Sequence, residues 1–248
     1  MDPECRKQRS WLKSDFAGAD FQSDQQKGVA CPDWEKPVDD NATVLELGEL
    51  PGDVVEKNDL IAAISSRRSR RRFTDQPLSL AQLHWLLWAT QGVKRVLGEG
   101  QVVFRTVPSA GARHPFETYL AVLNVEGVQS GIWRYRSSKG QLVHVRDVED
   151  LGQSLGSVTL GQDFLSSAAV VFFWAAVPYR TEWRYDRVSH KAILLDAGHV
   201  AQNLYVAVEG IGCGTCAIAA YDQVAVDAML GLDGDDEFVI YLAPVGRV

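Results

Sequence analysis

The sequence predicts an α+β sandwich in which helices pack on a mostly antiparallel sheet, and three observations carry that expectation. Strand-like and helix-like stretches are partly segregated along the chain rather than strictly alternating. The longest apolar run, Ala168 to Val177, is far shorter than the roughly 20 residues that cross a bilayer and is rich in β-branched and aromatic types, so it reads as a buried strand. Gly210-Ile211-Gly212 follows a helical pattern instead of a strand, so nothing supports the nucleotide turn of the alternative, a doubly wound α/β fold.

Residues 1 to about 55 are polar, punctuated by proline and without a sustained period, which reads as an extended arm of the sort that often wraps a partner. Leu60, Ile61 and Ile64 suit a short helix from Lys57 to Ser66. Ser79 then caps a second helix whose buried stripe is Leu80, Leu83, Leu86 and Leu87. After Pro115, apolar residues fall on both faces of a strand, the mark of an inner strand. Ile132 to Tyr135 and Gln141 to Val145 read as a hairpin around Ser137, Ser138, Lys139 and Gly140, followed by a helix over Val148 to Ser157. Tyr179 to Arg187 is polar and aromatic, with the composition of a lid. Ser189 to Glu209 carries the clearest helical period, stopped by Gly210, and is apolar enough for a core or dimer helix. A last helix, Gln223 to Leu230, leads into a strand over Glu237 to Ala243.

With 248 residues and 46% apolar content, the chain has material for one substantial core. Its pI of about 5.3 argues against general coating of nucleic acid or anionic membrane. The N-terminus lacks an apolar stretch behind its basic residues, so no secretory signal is visible and a cytoplasmic setting is expected. Four cysteines are too few for a disulfide framework, and Cys213-Gly214-Thr215-Cys216 reads as small residues in a tight turn; no metal site is expected.

Against a net charge of −7, five arginines crowd into six positions, in the run Ser66-Arg67-Arg68-Ser69-Arg70-Arg71-Arg72-Phe73. Such a run can be a solvated face, a phosphate cradle or a nucleic-acid patch. Guanidinium groups form two-pronged, charge-assisted hydrogen bonds to phosphate, and serine hydroxyls can donate beside them.

Three further segments stand in order after the arginines: Pro108-Ser109-Ala110-Gly111-Ala112-Arg113-His114-Pro115, Gly210 to Asp222, and Pro244-Val245-Gly246-Arg247. Together with R-x-S-x-R-x-F they resemble the FMN-dependent nitroreductase superfamily. The PSAG-x-x-HP form, with Asp196-Ala197-Gly198-His199 and Gln202-Asn203, is similar to its SagB-type dehydrogenase branch. The resemblance covers about Lys57 to Arg247 and implies a nitroreductase-like domain over 56–248 behind the 1–55 arm. It also implies a homodimer with FMN at the subunit interface. Arg67, Arg68, Ser69 and Arg71 would hold the phosphate and ribityl end, closed by Arg247. Pro108, Ser109, Ala110 and Gly111 of the other subunit would flank the ring, and Ala217, Ile218 and Ala219 would offer backbone N–H groups near it. Phe73 is expected in the core, Arg70 and Arg72 in solvent, and His199 as a satisfied core or interface histidine.

The activity so implied is electron transfer from NAD(P)H through FMN to a nitroaromatic, quinone or similar small acceptor. Alternatives are oxidation of a peptide azoline or related heterocycle, and a non-catalytic flavin-binding or nucleic-acid-interacting role. In azoline dehydrogenases of the SagB type a Lys-Tyr pair serves proton abstraction, and Arg184-Tyr185 stands at the matching place. Arginine stays protonated where lysine can be tuned to a base, so Arg184 suits an anionic group and Tyr185 a proton donor.

Overall fold

The structure is a computed structural model that describes residues 2–18, 20–50 and 52–248. In chain order the main elements are α1 (Pro3–Lys7), β1 (Val44–Glu46), α2 (Leu60–Ser66), α3 (Leu80–Gln91), β2 (Val93–Leu97), β3 (Val102–Arg105), β4 (Phe116–Val122) and β5 (Gly131–Arg136). They continue with β6 (Gln141–Arg146), α4 (Leu151–Val158), β7 (Val170–Ala176), α5 (Tyr179–Tyr185), α6 (His190–Glu209), β8 (Cys213–Thr215), α7 (Gln223–Leu230) and β9 (Phe238–Arg247).

Seven strands form one sheet in the order β1-β6-β5-β4-β7-β9-β8, and every ladder in it is antiparallel. The apolar run after Ala168 becomes β7, which is buried throughout and paired on both sides, by β4 and β9. Successive side chains of a strand point to opposite faces, so Phe172 and Trp174 join one core and Phe173 the other. The first core is roofed by α3 and α6 through Leu83, Leu86, Leu87, Val200 and Leu204. The second is covered by α4 and α7 through Leu151, Leu155, Val226 and Leu230. Burying each such side chain contributes about 1.5–3 kcal/mol, which is why two apolar faces on β4 and β7 demand helices on both sides.

Local chemistry sets the helix starts. Ser79 accepts from the Gln82 amide while the Gln82 side chain reaches back to the Ser79 amide, a capping box that fixes where α3 begins. Asp59, Asp150 and Asp222 cap α2, α4 and α7 from one side only, each carboxylate accepting from the amide three residues on.

Four details differ from the sequence reading. Gly210 ends α6 with a right-handed φ of −69°, and what requires glycine there is space: a Cβ would lie 3.0 Å from Val55 Cγ1 and 3.1 Å from the Lys57 carbonyl. β9 runs on through the Pro244-Val245-Gly246-Arg247 tail, which pairs with β8. The 179–187 segment is a fixed wall rather than a lid, because Arg180, Thr181 and Trp183 of α5 are buried. The hairpin β2–β3, a separate two-stranded sheet, has no counterpart in the sequence reading, since Lys94, Arg95 and the glycines at 98 and 100 break its alternation.

The N-terminal residues lie along their own chain. β1 pairs with β6, Leu47 enters the first core, and Trp183 Nε1 donates to the Val29 carbonyl at 2.9 Å. Among the described residues no helix is long and apolar enough to cross a membrane.

Candidate active site

The arginine run leaves α2 and immediately meets β8. Ser69 forms a bridge to Thr215, the Arg70 amide donates to the Thr215 carbonyl at 2.9 Å, and β8 pairs Cys213 with Arg247 of β9. The first, third and fourth motifs therefore converge. Tyr205 of α6 locks them: its hydroxyl lies 3.0 Å from Ser69 Oγ and accepts from the Ala217 amide at 2.9 Å, while Arg67 sits over its ring at 5.3 Å. Tyr205 was not singled out from sequence, where an aromatic on a long amphipathic helix looks like any other core position.

Positive charge at this end exceeds its acidic partners. Among the described residues Arg67, Arg68 and Arg71 have no carboxylate within ion-pair distance, and Arg247 has only Glu56, at 3.9 Å. Arg247 Nη1 donates to the Ile211 carbonyl at 2.8 Å, yet its Nε and that of Arg70 are buried without a partner. Arg70 is thus not the solvent-facing residue expected: its stem lies on Gly214, where a Cβ would come within 2.5 Å of Arg70 Cδ. Arg72 is exposed, and Phe73 is half-buried against the second core with Gly246 beneath its ring. Of the three amides at 217–219, Ile218 donates to the Leu242 carbonyl and Ala217 to Tyr205, so Ala219 alone has no acceptor among the described residues.

The second motif is held elsewhere. Ser109 Oγ donates to Asp196 Oδ2 at 2.5 Å and accepts from the His114 amide at 2.9 Å, while the Ala110 amide donates to the same carboxylate at 3.2 Å. Burial pushes the Asp196 carboxyl up, and the bonds from Ser109 and Ala110 oppose that rise. The Asp196 motif was visible in the sequence, but its role as anchor was not. His199 is exposed, with Nδ1 3.8 Å from Asp196, so it is not a core histidine. Pro108 is exposed beside the half-buried Ser109 to Gly111.

Gly111 has a φ of +58°, and a Cβ there would meet Tyr185 Oη at 2.6 Å and Arg184 Cδ at 2.9 Å. Thus Arg184 and Tyr185 lie directly on the second motif, Arg184 also 5.6 Å from the Tyr185 ring. Arg184 has no carboxylate partner among the described residues, so a salt bridge does not account for it. Gly111→Ala is expected to lower the melting temperature by several degrees, since left-handed backbone costs a side-chain residue about 1–2 kcal/mol before any clash. Gly140→Ala is the control, with a φ of +64° and open space around it. An equal effect for the two would show that contact with Arg184 and Tyr185 is unimportant.

Both thiols of the Cys213/Cys216 pair are buried on or beside β8, and burial pushes the Cys213 thiol up to about 12, which removes it as a nucleophile.

The Nitroreductase family profile matches residues 64–247, three quarters of the chain and every motif just placed. The chain belongs to the nitroreductase family. It is accordingly an oxidoreductase. A nitroreductase-type protein of Methanocaldococcus jannaschii is 34% identical over 193 residues, covering 78% of this chain and 93% of its own. The trifolitoxin-processing protein TfxB of Rhizobium leguminosarum bv. trifolii is 24% identical over 138 residues, 54% of this chain and 37% of TfxB. Among solved structures, a nitroreductase-type protein of Anabaena variabilis is 25% identical with a TM-score of 0.69, covering 83% of this chain, which spans only 42% of that protein. The microcin synthetase McbBCD complex of Escherichia coli contains a chain 19% identical with a TM-score of 0.62, covering all of this chain and 94% of that one, so the shared fold extends through the arm. A family member from Desulfovibrio desulfuricans, 18% identical with a TM-score of 0.52, was solved in complex with FMN, so flavin binding occurs on this fold.

Proposed function

We propose that two copies of this chain hold FMN between them and pass electrons from NAD(P)H to a nitroaromatic, quinone or similar small acceptor by a ping-pong route. The observation that carries this reading is the arginine end of the site. Guanidinium groups from two distant segments, with Glu56 at 3.9 Å from Arg247 as their one carboxylate among the described residues, suit a phosphate dianion. Arg67, Arg68, Ser69, Arg71 and Arg247 would hold that phosphate and the adjoining hydroxyls, and the open amide of Ala219 would face the ring.

Helix geometry supports a second copy. Asp196, which anchors Pro108 to Gly111, and Tyr205, which anchors the arginine end, are nine positions apart on α6. That is about two and a half turns, so they lie on opposite faces and roughly 13 Å apart along the axis. In this reading a second copy supplies one of the two motifs to the ring. Apolar residues left in solvent on α2 and α6, among them Ile61 at 80% and Leu195 at 56% exposure, offer the surface for such a homodimer.

When bound, FMN supplies the hydride and electron chemistry; the chain binds it, orients it and excludes water. The small residues at 109–112 let backbone approach a flat ring. Tyr185 Oη, at the surface of Gly111, is placed to hand a proton to a reduced acceptor. The expected setting is cytoplasmic, without nucleic acid or membrane partners. The reading is tested by the absorption spectrum of the purified protein: a flavin band should bleach on anaerobic titration with NADH or NADPH and return with a nitroaromatic. Protein that neither carries nor takes up flavin would sink it.

Oxidation of a peptide azoline is the second reading, favoured by likeness to McbBCD over the whole chain including the arm. Against it, Arg184 replaces the lysine that would accept a proton. Bleaching by an azoline peptide without nicotinamide would decide for it.

A further inference from the structure

We infer that the cavity between β3 and α5 is a subsite for an oxyanion, the carboxylate or phosphate of a small substrate, gripped by Arg105 and Arg184. The subsite deepens the flavin reading and rests on it, because the cavity opens beside Ser109 and Gly111, where the ring is expected. It measures about 640 Å³, within the range usual for small-molecule sites.

Its lining is one-sided in charge. Arg105, His114 and Arg184 contribute to the wall, and no carboxylate does, in a chain whose net charge is −7. The nearby acids are already committed, Asp196 to Ser109 and Ala110, and Glu117 to Arg134 and Arg180. Burial, reinforced by Arg105 and Arg113, pushes the His114 imidazole down to about 3, so it is neutral near pH 7.

Arg105 is only 7% exposed and incompletely satisfied. Its Nη1 donates to Gln91 at 2.6 Å and its Nη2 to the Trp34 carbonyl at 3.4 Å, while its buried Nε has no partner among the described residues. Burial lowers its pKa to about 10, so it stays cationic at neutral pH. A buried cation with an unpartnered Nε is costly, and an anion in the adjoining cavity offsets that cost through its charge. Arg184, across the cavity, is exposed and has no carboxylate partner among the described residues. Thus one fixed and one adjustable guanidinium border the same space, with the exposed ring of Phe104 and Pro108 beside them for the apolar body of a ligand.

The test is calorimetric titration of the flavin-loaded protein with benzoate, phenyl phosphate and benzyl alcohol, three ligands that share a phenyl ring and differ in charge. At least one anion should bind about tenfold or more tightly than the alcohol, the factor a single charge-assisted hydrogen bond supplies. Whichever anion binds better identifies the group as carboxylate or phosphate. Arg184→Gln should erase the preference and keep its flavin, and Arg184→Lys should restore part of it. Equal binding of anions and alcohol by the wild type, an undiminished preference in Arg184→Gln, or loss of flavin from that variant would each overturn the assignment. Should the protein carry no flavin, the flavin reading fails by itself. Benzoate against benzyl alcohol on the flavin-free protein then decides the subsite, since phenyl phosphate can occupy the vacant arginine end.

Discussion

A protein carrying both Arg67→Ala and Arg247→Ala is expected to leave purification colourless while still eluting as a dimer. In the proposed site the two guanidinium groups would serve one phosphate from distant parts of the sequence, Arg67 after α2 and Arg247 at the close of β9. Hydrogen bonds between charged groups contribute about 1.5–3 kcal/mol each, so losing one from each arginine weakens flavin binding by roughly 3–6 kcal/mol, about two to four powers of ten. The proposed dimer should survive because the exposed apolar residues on α2 and α6 are untouched. Among the described residues, Arg67→Ala removes a contact with the Tyr205 ring, whereas Arg247→Ala frees the Ile211 carbonyl and the Glu56 carboxylate, so melting curves of the single variants separate binding from folding. Flavin content is read from absorbance, and retention of FMN by the double variant would remove the phosphate assignment.

What could be read from the sequence and what could not divides along the range of the interactions. The Ser79 cap, the period of α6 and the buried run of β7 are local patterns, and each became the element expected. The four motifs were legible because their order and composition are unusual. Their mutual anchoring was not, because Tyr205 and Asp196 are single residues on a long helix and act on segments 136 and 87 positions away. Arg70 shows the same limit. An arginine in a basic run looks solvated until Gly214 is seen to admit its stem. Hidden most completely were Arg105, Arg113, Arg134 and Arg180, all buried. Several of their partners are backbone carbonyls of remote residues, such as Asp33 for Arg180 and Pro37 for Arg134, and a carbonyl has no signature in sequence.

Glu117→Ala is expected to be the most destabilising single substitution outside the apolar core. Glu117 is 3% exposed; its Oε1 accepts from Arg180 at 2.5 Å and from the Lys36 amide at 2.9 Å, and its Oε2 accepts from Arg134 at 3.2 Å. Removing one partner from a buried ion pair costs about 3–5 kcal/mol because the remaining charge is stranded, and here two arginines are stranded together. For a chain of this size that is a fall of roughly 6–20 °C in melting temperature. Those arginines also bind the arm, Arg180 through the Asp33 carbonyl and Arg134 through the carbonyls of Lys36 and Pro37. The variant should therefore expose residues near 33–37 to protease at lower denaturant than the wild type.

The sign of the pH effect follows from the same cluster. Burial by itself would raise the Glu117 carboxyl, but Arg180 and Arg134, with the hydrogen bonds from Arg180 and Lys36, hold it below its ordinary value. A carboxyl lowered in the folded state contributes stability that is fully present above its unfolded value, about 4.3 for glutamate, and is lost as pH falls through the folded value. Wild-type melting temperature should thus fall steeply below about pH 4, whereas Glu117→Gln, which keeps the shape and lacks the titrating group, should start lower and lose less over the same interval. Parallel acid limbs for the two proteins would show that Glu117 is not the group whose protonation releases the arm.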